Sequence, residues 1–140
     1  MPLHLMQHPE QLAIARLAAG EDPTWPLASA RFCSITRTPD ETSVLCDAHL
    51  VPSGTRQEGP YVAFEVAGPL DFEMVGVMHE LLGPTTQRRI PLLTMSTYDT
   101  DWILVPAERA TDAATAWRKA GLVVTASSLS SWTPPPKEES

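Results

Sequence analysis

The chain reads as an α+β protein whose second half is a ferredoxin-like module, two helices on one face of an antiparallel sheet. Three observations carry this. Short β-favouring runs occupy residues 61–67, 92–97, 102–105 and 122–125. Segments of helical character fall between the first and second and between the third and fourth, the later one at residues 108–120 with Gly121 as its stop. Turn and cap residues separate them, so the order from Tyr61 onward is βαββαβ.

At the N-terminus, Leu3 and Leu5, then Leu12, Ile14 and Leu17, suggest two short strands joined by a Gln7-His8-Pro9-Glu10 turn. A helix over residues 10–19 competes, because Gln11, Leu12, Ala13, Ala15, Arg16, Leu17 and Ala18 are good helix formers. Residues 20–26 are a break, and a short helix is expected at residues 25–29. Residues 32–37 and 42–46 alternate about the TPDE turn (residues 38–41). Cys33, Ile35, Val44 and Cys46 then face one way, and Ser34, Thr36 and Ser43 the other. A tight turn centred on Pro39 and Asp40 sets the two cysteines opposite each other. They could form a reducible bridge, but two buried, free thiols are the simpler reading in a reducing cytosol.

Residues 52–60 are polar and contain glycine, so they read as a loop between an N-terminal part, residues 1–58, and a C-terminal part, residues 59–126. In the strand at residues 61–67, Val62, Phe64 and Val66 share a face. After Gly68-Pro69-Leu70, Asp71 suits the N-cap of a helix carrying Val75, Met78 and Leu82, with Leu70 and Val75 at the staple positions. Gly76 inside that helix implies close packing, Pro84 shortens or kinks it, and Arg89 follows it. Residues 127–140, ending WTPPPKEES, read as a disordered tail.

Composition narrows the function. With 17 acids against 10 bases the net charge is -7, so there is no basic excess to displace counterions and nucleic acid is not an expected partner. No apolar run approaches the ~20 residues of a membrane span and no secretory signal is seen, which makes the cytoplasm the expected location. Two cysteines are too few for a disulfide framework.

The richest stretch is STYDTDWILVP (residues 96–106), which reads as a hairpin turn at Asp99-Thr100-Asp101 between two strands. It resembles the S-T-[YF]-x-x-D-[x]-[IA]-L-V-P signature of a tandem subfamily of ACT domains, which includes a cytosolic arginine sensor and small prokaryotic two-module proteins. The resemblance continues through FCSITRTPDETSV (residues 32–44), FEVAGPLDFEMVGVM (residues 64–78) and AWRKAGLVV (residues 116–124), in the family's order. It implies two ACT-type βαββαβ modules, the N-terminal one divergent, and favours strand near the N-terminus.

It also implies a regulatory protein that binds a small molecule, an amino acid in the first instance, and forms a dimer, with no cofactor. An amino acid needs one anion-binding and one cation-binding end. The start of the Asp71 helix can supply the first through the backbone N–H groups of Phe72, Glu73 and Met74. Asp101 matches the acid with which the family's arginine sensor holds its ligand, and Asp99, Thr97 and Thr100 stand beside it. The bland alternatives are that Asp99 and Asp101 are ordinary turn formers, that Asp71 is only a cap, and that Glu73 complements the helix dipole.

An enzyme is not expected: no phosphate loop or nucleophile motif is present. His4 and His8 have i, i+4 spacing on a segment read as strand, and His49 and His79 have no companion at ligand spacing, so no metal site is expected. The rival readings are a constitutive interaction module with a vestigial pocket, and a small hydrolase or isomerase built from Asp99, Asp101 and a histidine.

Overall fold

The computed structural model describes residues 3–67 and 76–126. One seven-stranded sheet runs through them. Its strands are β1 (His4–Ala18), β2 (Cys33–Arg37), β3 (Glu41–Asp47), β4 (Gln57–Val66), β5 (Leu93–Ser96), β6 (Asp101–Pro106) and β7 (Val123–Ala126); the helices are α1 (Val77–Gln87) and α2 (Ala110–Lys119). The order is β2-β3-β1-β4-β6-β5, with β7 also pairing β1.

β1 is a single strand, where the sequence suggested two strands and a turn. In place of the turn there is a bulge: β1 advances from Gln7 to Gln11 while β4 advances only from Phe64 to Val62. Pro9, which has no N–H to give to a ladder, sits in that irregularity. The competing helix at residues 10–19 is not formed, because this stretch is buried on both faces. Ala13 and Ala15 pack with Trp25, Val44 and Cys46 on one side. Leu12 packs with Leu45, Ala63 and Leu104 on the other.

The β2–β3 hairpin has the expected register, with Cys33 opposite Cys46. Thr38 closes its turn by accepting the N–H groups of Asp40 and Glu41 at 3.2 Å. Cys46 is buried, but Cys33 is exposed because β2 is an edge strand with no layer over it. The helix expected at residues 25–29 is absent; Pro26 disfavours helical backbone at Trp25, whose ring instead covers Ala13, Ala15 and Val44. The inter-half loop is shorter than expected, since Gln57 and Glu58 already pair with Ala15 and Ile14.

From Gln57 onward the order βαββαβ is as read from the sequence. Both helices lie on one face, where Leu81, Ala113 and Trp117 meet Val62, Phe64, Val66, Ile103 and Val105. The Trp117 indole N–H donates to the Leu81 carbonyl at 2.8 Å, tying α2 to α1. The last strand departs from expectation: β7 runs parallel to β1, with Leu5 opposite Val124, rather than completing an antiparallel set beside β4. β1 has taken that place, with Leu5 also opposite Val66. The N-terminal half likewise differs from a second βαββαβ unit: residues 3–56 form three strands and a 3-10 turn at Ala48–Leu50, with no α-helix among the described residues.

α1 starts at Val77 with Gly76 at its N-cap (φ 84°), so Gly76 precedes this helix rather than lying inside it. Asp71, Leu70 and Val75, expected to cap and staple it, fall outside the described residues, as does the tail at 127–140. Leu81 and Thr85 are the fully buried residues of α1, and Met78 and Leu82 are half-buried beside them. Both helices end in a left-handed residue: Gly121 (φ 93°) after α2 and Arg89 (φ 55°) after α1. The flanking bonds correspond, Leu122 N–H to Trp117 and Ile90 N–H to Thr85, each 3.0 Å. Arg89 thus serves where a glycine is usual.

Candidate ligand-binding site

The hairpin between β5 and β6 is centred on Tyr98 and Asp99, one residue earlier than the Asp99-Thr100-Asp101 turn expected from the sequence. Thr97 N–H donates to the Thr100 carbonyl at 2.8 Å, and the Thr97 hydroxyl accepts the Thr100 N–H at 3.3 Å. Threonine hydroxyls satisfy turn backbone in this way, which fixes the loop without glycine. The Thr100 hydroxyl then donates to the Val66 carbonyl. That bond docks the turn on the last residue of β4.

Asp101 is already in β6, paired with Ser96, whose hydroxyl donates to its Oδ1 at 2.5 Å. Strand alternation puts Asp101 with Ile103 and Val105 on the helix-bearing side, and Trp102 with Leu104 on the other. The expected constellation is therefore divided. Thr97, Asp99 and Thr100 line an open groove of about 540 Å³ on the helix-free side, where they meet Phe32, Glu65 and Trp102. Asp101 lies at the opposite side of the same strand end. Asp71, Phe72, Glu73 and Met74, expected at the anion-binding end, lie outside the described residues.

Phe32, Glu65 and Trp102 were not singled out from the sequence. A strand reading FEV or DWI does hint at Glu65 and Trp102, since each sets one polar or amphipathic residue opposite a buried face; that Phe32 lies nearby is not legible without the pairing. His49, given no companion by its spacing, comes near Glu10 and Asp47, with one potential ligand atom of each within 4.8 Å of the others. The acids have other work there. Asp47 Oδ2 and Oδ1 accept the N–H groups of Arg31 and Phe32, each at 3.1 Å, and Glu10 Oε1 meets Arg31 Nη1 at 2.8 Å. These bonds pin residues 31–32 against the sheet. His4 and His8, on an extended strand, go separate ways: His4 to the Thr125 hydroxyl at 2.7 Å and His8 to Glu65 at 2.9 Å.

The turn and its docking strand lie within a stretch, residues 57–119, that matches a family model described as the ACT domain. Over these residues the chain is similar to an ACT domain. A second model, for an N-terminal domain, matches residues 10–54. Among solved structures, a protein from Agrobacterium tumefaciens is similar at 29% identity, covering 91% of this chain and 96% of its own, with a TM-score of 0.83. A Vibrio cholerae protein of unknown function, a possible transport protein, has 14% identity over 85% of this chain and 90% of its own, TM-score 0.69. The ligand-free regulatory subunit of aspartate kinase from Thermus thermophilus has 10% identity over 79% of this chain and 93% of its own, TM-score 0.53. The last two likenesses speak for the fold alone. No curated protein sequence matches significantly. ACT domains generally bind small-molecule ligands in regulatory roles, and among the described residues no helix is long and apolar enough to cross a membrane.

Proposed function

We propose that this protein is an amino-acid sensor: it binds an amino acid at the ACT turn and alters its contacts with a partner in response, without catalysing a reaction. The observation that carries this is the docking of the 97–100 turn on β4 through Thr100 and Val66. It brings the hydroxyls and acids of STYDTD beside the point where the chain leaves the sheet for α1. Asp101 holds the ligand ammonium, with Ser96 keeping its carboxylate in place. The backbone between β4 and α1 takes the ligand carboxylate. Residues 1–58 and 59–126 act as the two halves of this unit, and a homodimer in the cytoplasm is its working form.

A second reading, a constitutive interaction module, draws on the edge strands: β2 and β5 end the sheet, and they carry Ile35 and Leu93 at 41% and 40% exposure. A thermal-shift screen against the twenty amino acids separates the two. A ligand at about 100 times its Kd adds about 2.7 kcal/mol of stability. At least one amino acid is expected to raise Tm; none doing so would favour the interaction module.

A further inference from the structure

We propose that the helix-free face of the sheet carries a second site, adjoining the turn groove and sharing Phe32, Glu65 and Trp102 with it, that binds a small protonated amine bearing an oxygen acceptor. The place is a pocket of about 240 Å³ behind the bulge of β1, lined by His8, Glu10, Phe32, Glu65 and Trp102 and also by Arg31, whose guanidinium offsets the charge of Glu10 and leaves Glu65 as the stronger attraction for a cation. Its apolar base and few convergent polar groups are those of a small-molecule site, and its volume, below the usual ~300–1,000 Å³, limits it to a small ligand. Leu12 and Ala63 form the base and are almost fully buried. Trp102 stands between two rings, His8 at 5.1 Å and Phe32 at 5.0 Å between centroids.

Two carboxylates converge on this aromatic group. Glu65 Oε1 is held by His8 Nε2 at 2.9 Å, and Glu10 Oε1 by Arg31 Nη1 at 2.8 Å. Their side chains are 30% and 28% exposed, enough for contact with a ligand and little enough for weak screening. Each acid is oriented through one oxygen, and a carboxylate accepts through both. Two acids beside indole and phenyl rings suit an ammonium with a short apolar group, by charge pairing and by attraction to the ring faces. The net charge of -7 favours the approach of a cation. The oxygen acceptor follows from Trp102: its Nε1 is buried and has no acceptor among the described residues. A buried N–H is normally bonded, so a ligand oxygen completes the site. The bulge makes the pocket, since without it His8 and Glu10 would lie in the ladder beside β4.

Leucinol, which combines an ammonium, an isobutyl group and a hydroxyl, is the probe. It is titrated into the full-length, nitrogen-15-labelled protein while the indole N–H resonances are followed, Trp102 being assigned with Trp102→Phe. The Trp102 resonance is expected to move saturably. Trp117, already bonded to the Leu81 carbonyl, is expected to stay in place. Glu65→Gln and Glu10→Gln keep the side-chain shape and are each expected to raise the midpoint about fivefold or more, equivalent to about 1 kcal/mol. The amine-free alcohol 4-methylpentan-1-ol is not expected to saturate the site. No saturable movement of Trp102, unchanged midpoints in both glutamine variants, or equal saturation by the alcohol would overturn the proposal. Asp101→Asn is expected to leave the leucinol titration as it is, so this test succeeds or fails independently of the amino-acid reading of the turn; loss of leucinol binding in that variant would also overturn it.

Discussion

Cys33 and Cys46 face each other across the first hairpin in different surroundings, one exposed and one buried. Burial pushes both thiols above the ordinary range, and the Asp47 carboxylate adds to it; at Cys46 the Trp25 indole opposes in part. Alkylation of the native protein is therefore expected to be slow at neutral pH, faster at Cys33 than at Cys46, and to quicken as pH rises through the raised thiol range. Mass spectrometry of a timed iodoacetamide reaction checks this, and equal rates at neutral pH would contradict it. The sign for stability is set by the same shift. With folded values above unfolded ones, the contribution is complete below the unfolded thiol value and is lost as pH rises from there through the folded value. The opposition of the cysteines was legible because a two-residue turn fixes register. The exposure of Cys33 was not, because nothing local says that β2 would be an edge. Asp101 was found by its motif, whereas its side of the strand depended on where the turn is centred.

At the scale of elements, the two helix ends make a natural comparison. Arg89 occupies a left-handed conformation that costs a residue with a Cβ about 1–2 kcal/mol, while Gly121 occupies its counterpart without that cost. Arg89→Gly is therefore expected to raise stability by about 1 kcal/mol in urea unfolding. Gly76→Ala is expected to lower it by a similar amount: among the described residues beyond its chain neighbours no atom lies within 4 Å of the added Cβ, so the penalty comes from φ. A Gly76→Ala protein as stable as wild type would contradict the described start of α1. Thr100→Val removes the donor to Val66 and should cost about 1 kcal/mol. Strands and helices of the C-terminal half were readable because each has its own period and stop signal. The continuous β1 was harder, since its long run of Ala, Leu and Ile fits helix or strand alike and only burial on both faces settles it.

Across the whole molecule, β1 is the element that joins the halves: it pairs with β3, β4 and β7. Leu5, fully buried, lies between Val66 and Val124 in the register. The ACT segment thus depends on a strand from outside it. Urea unfolding is expected to show one transition by fluorescence and by circular dichroism, and a fragment of residues 57–126 is expected to lack it. A fragment that unfolds cooperatively would show that β1 is dispensable. This dependence could not be read from the chain, because an order of βαββαβ says nothing of a strand taken from elsewhere. The central claim is that the STYDTD turn receives a ligand ammonium at Asp101, and calorimetric titration of wild type, Asp99→Asn and Asp101→Asn with the amino acid that raises Tm tests it most directly. Asp101→Asn is expected to weaken binding by about 1.5–3 kcal/mol, the worth of a charge-assisted hydrogen bond, with Asp99→Asn doing less; equal affinities for wild type and Asp101→Asn would contradict the claim.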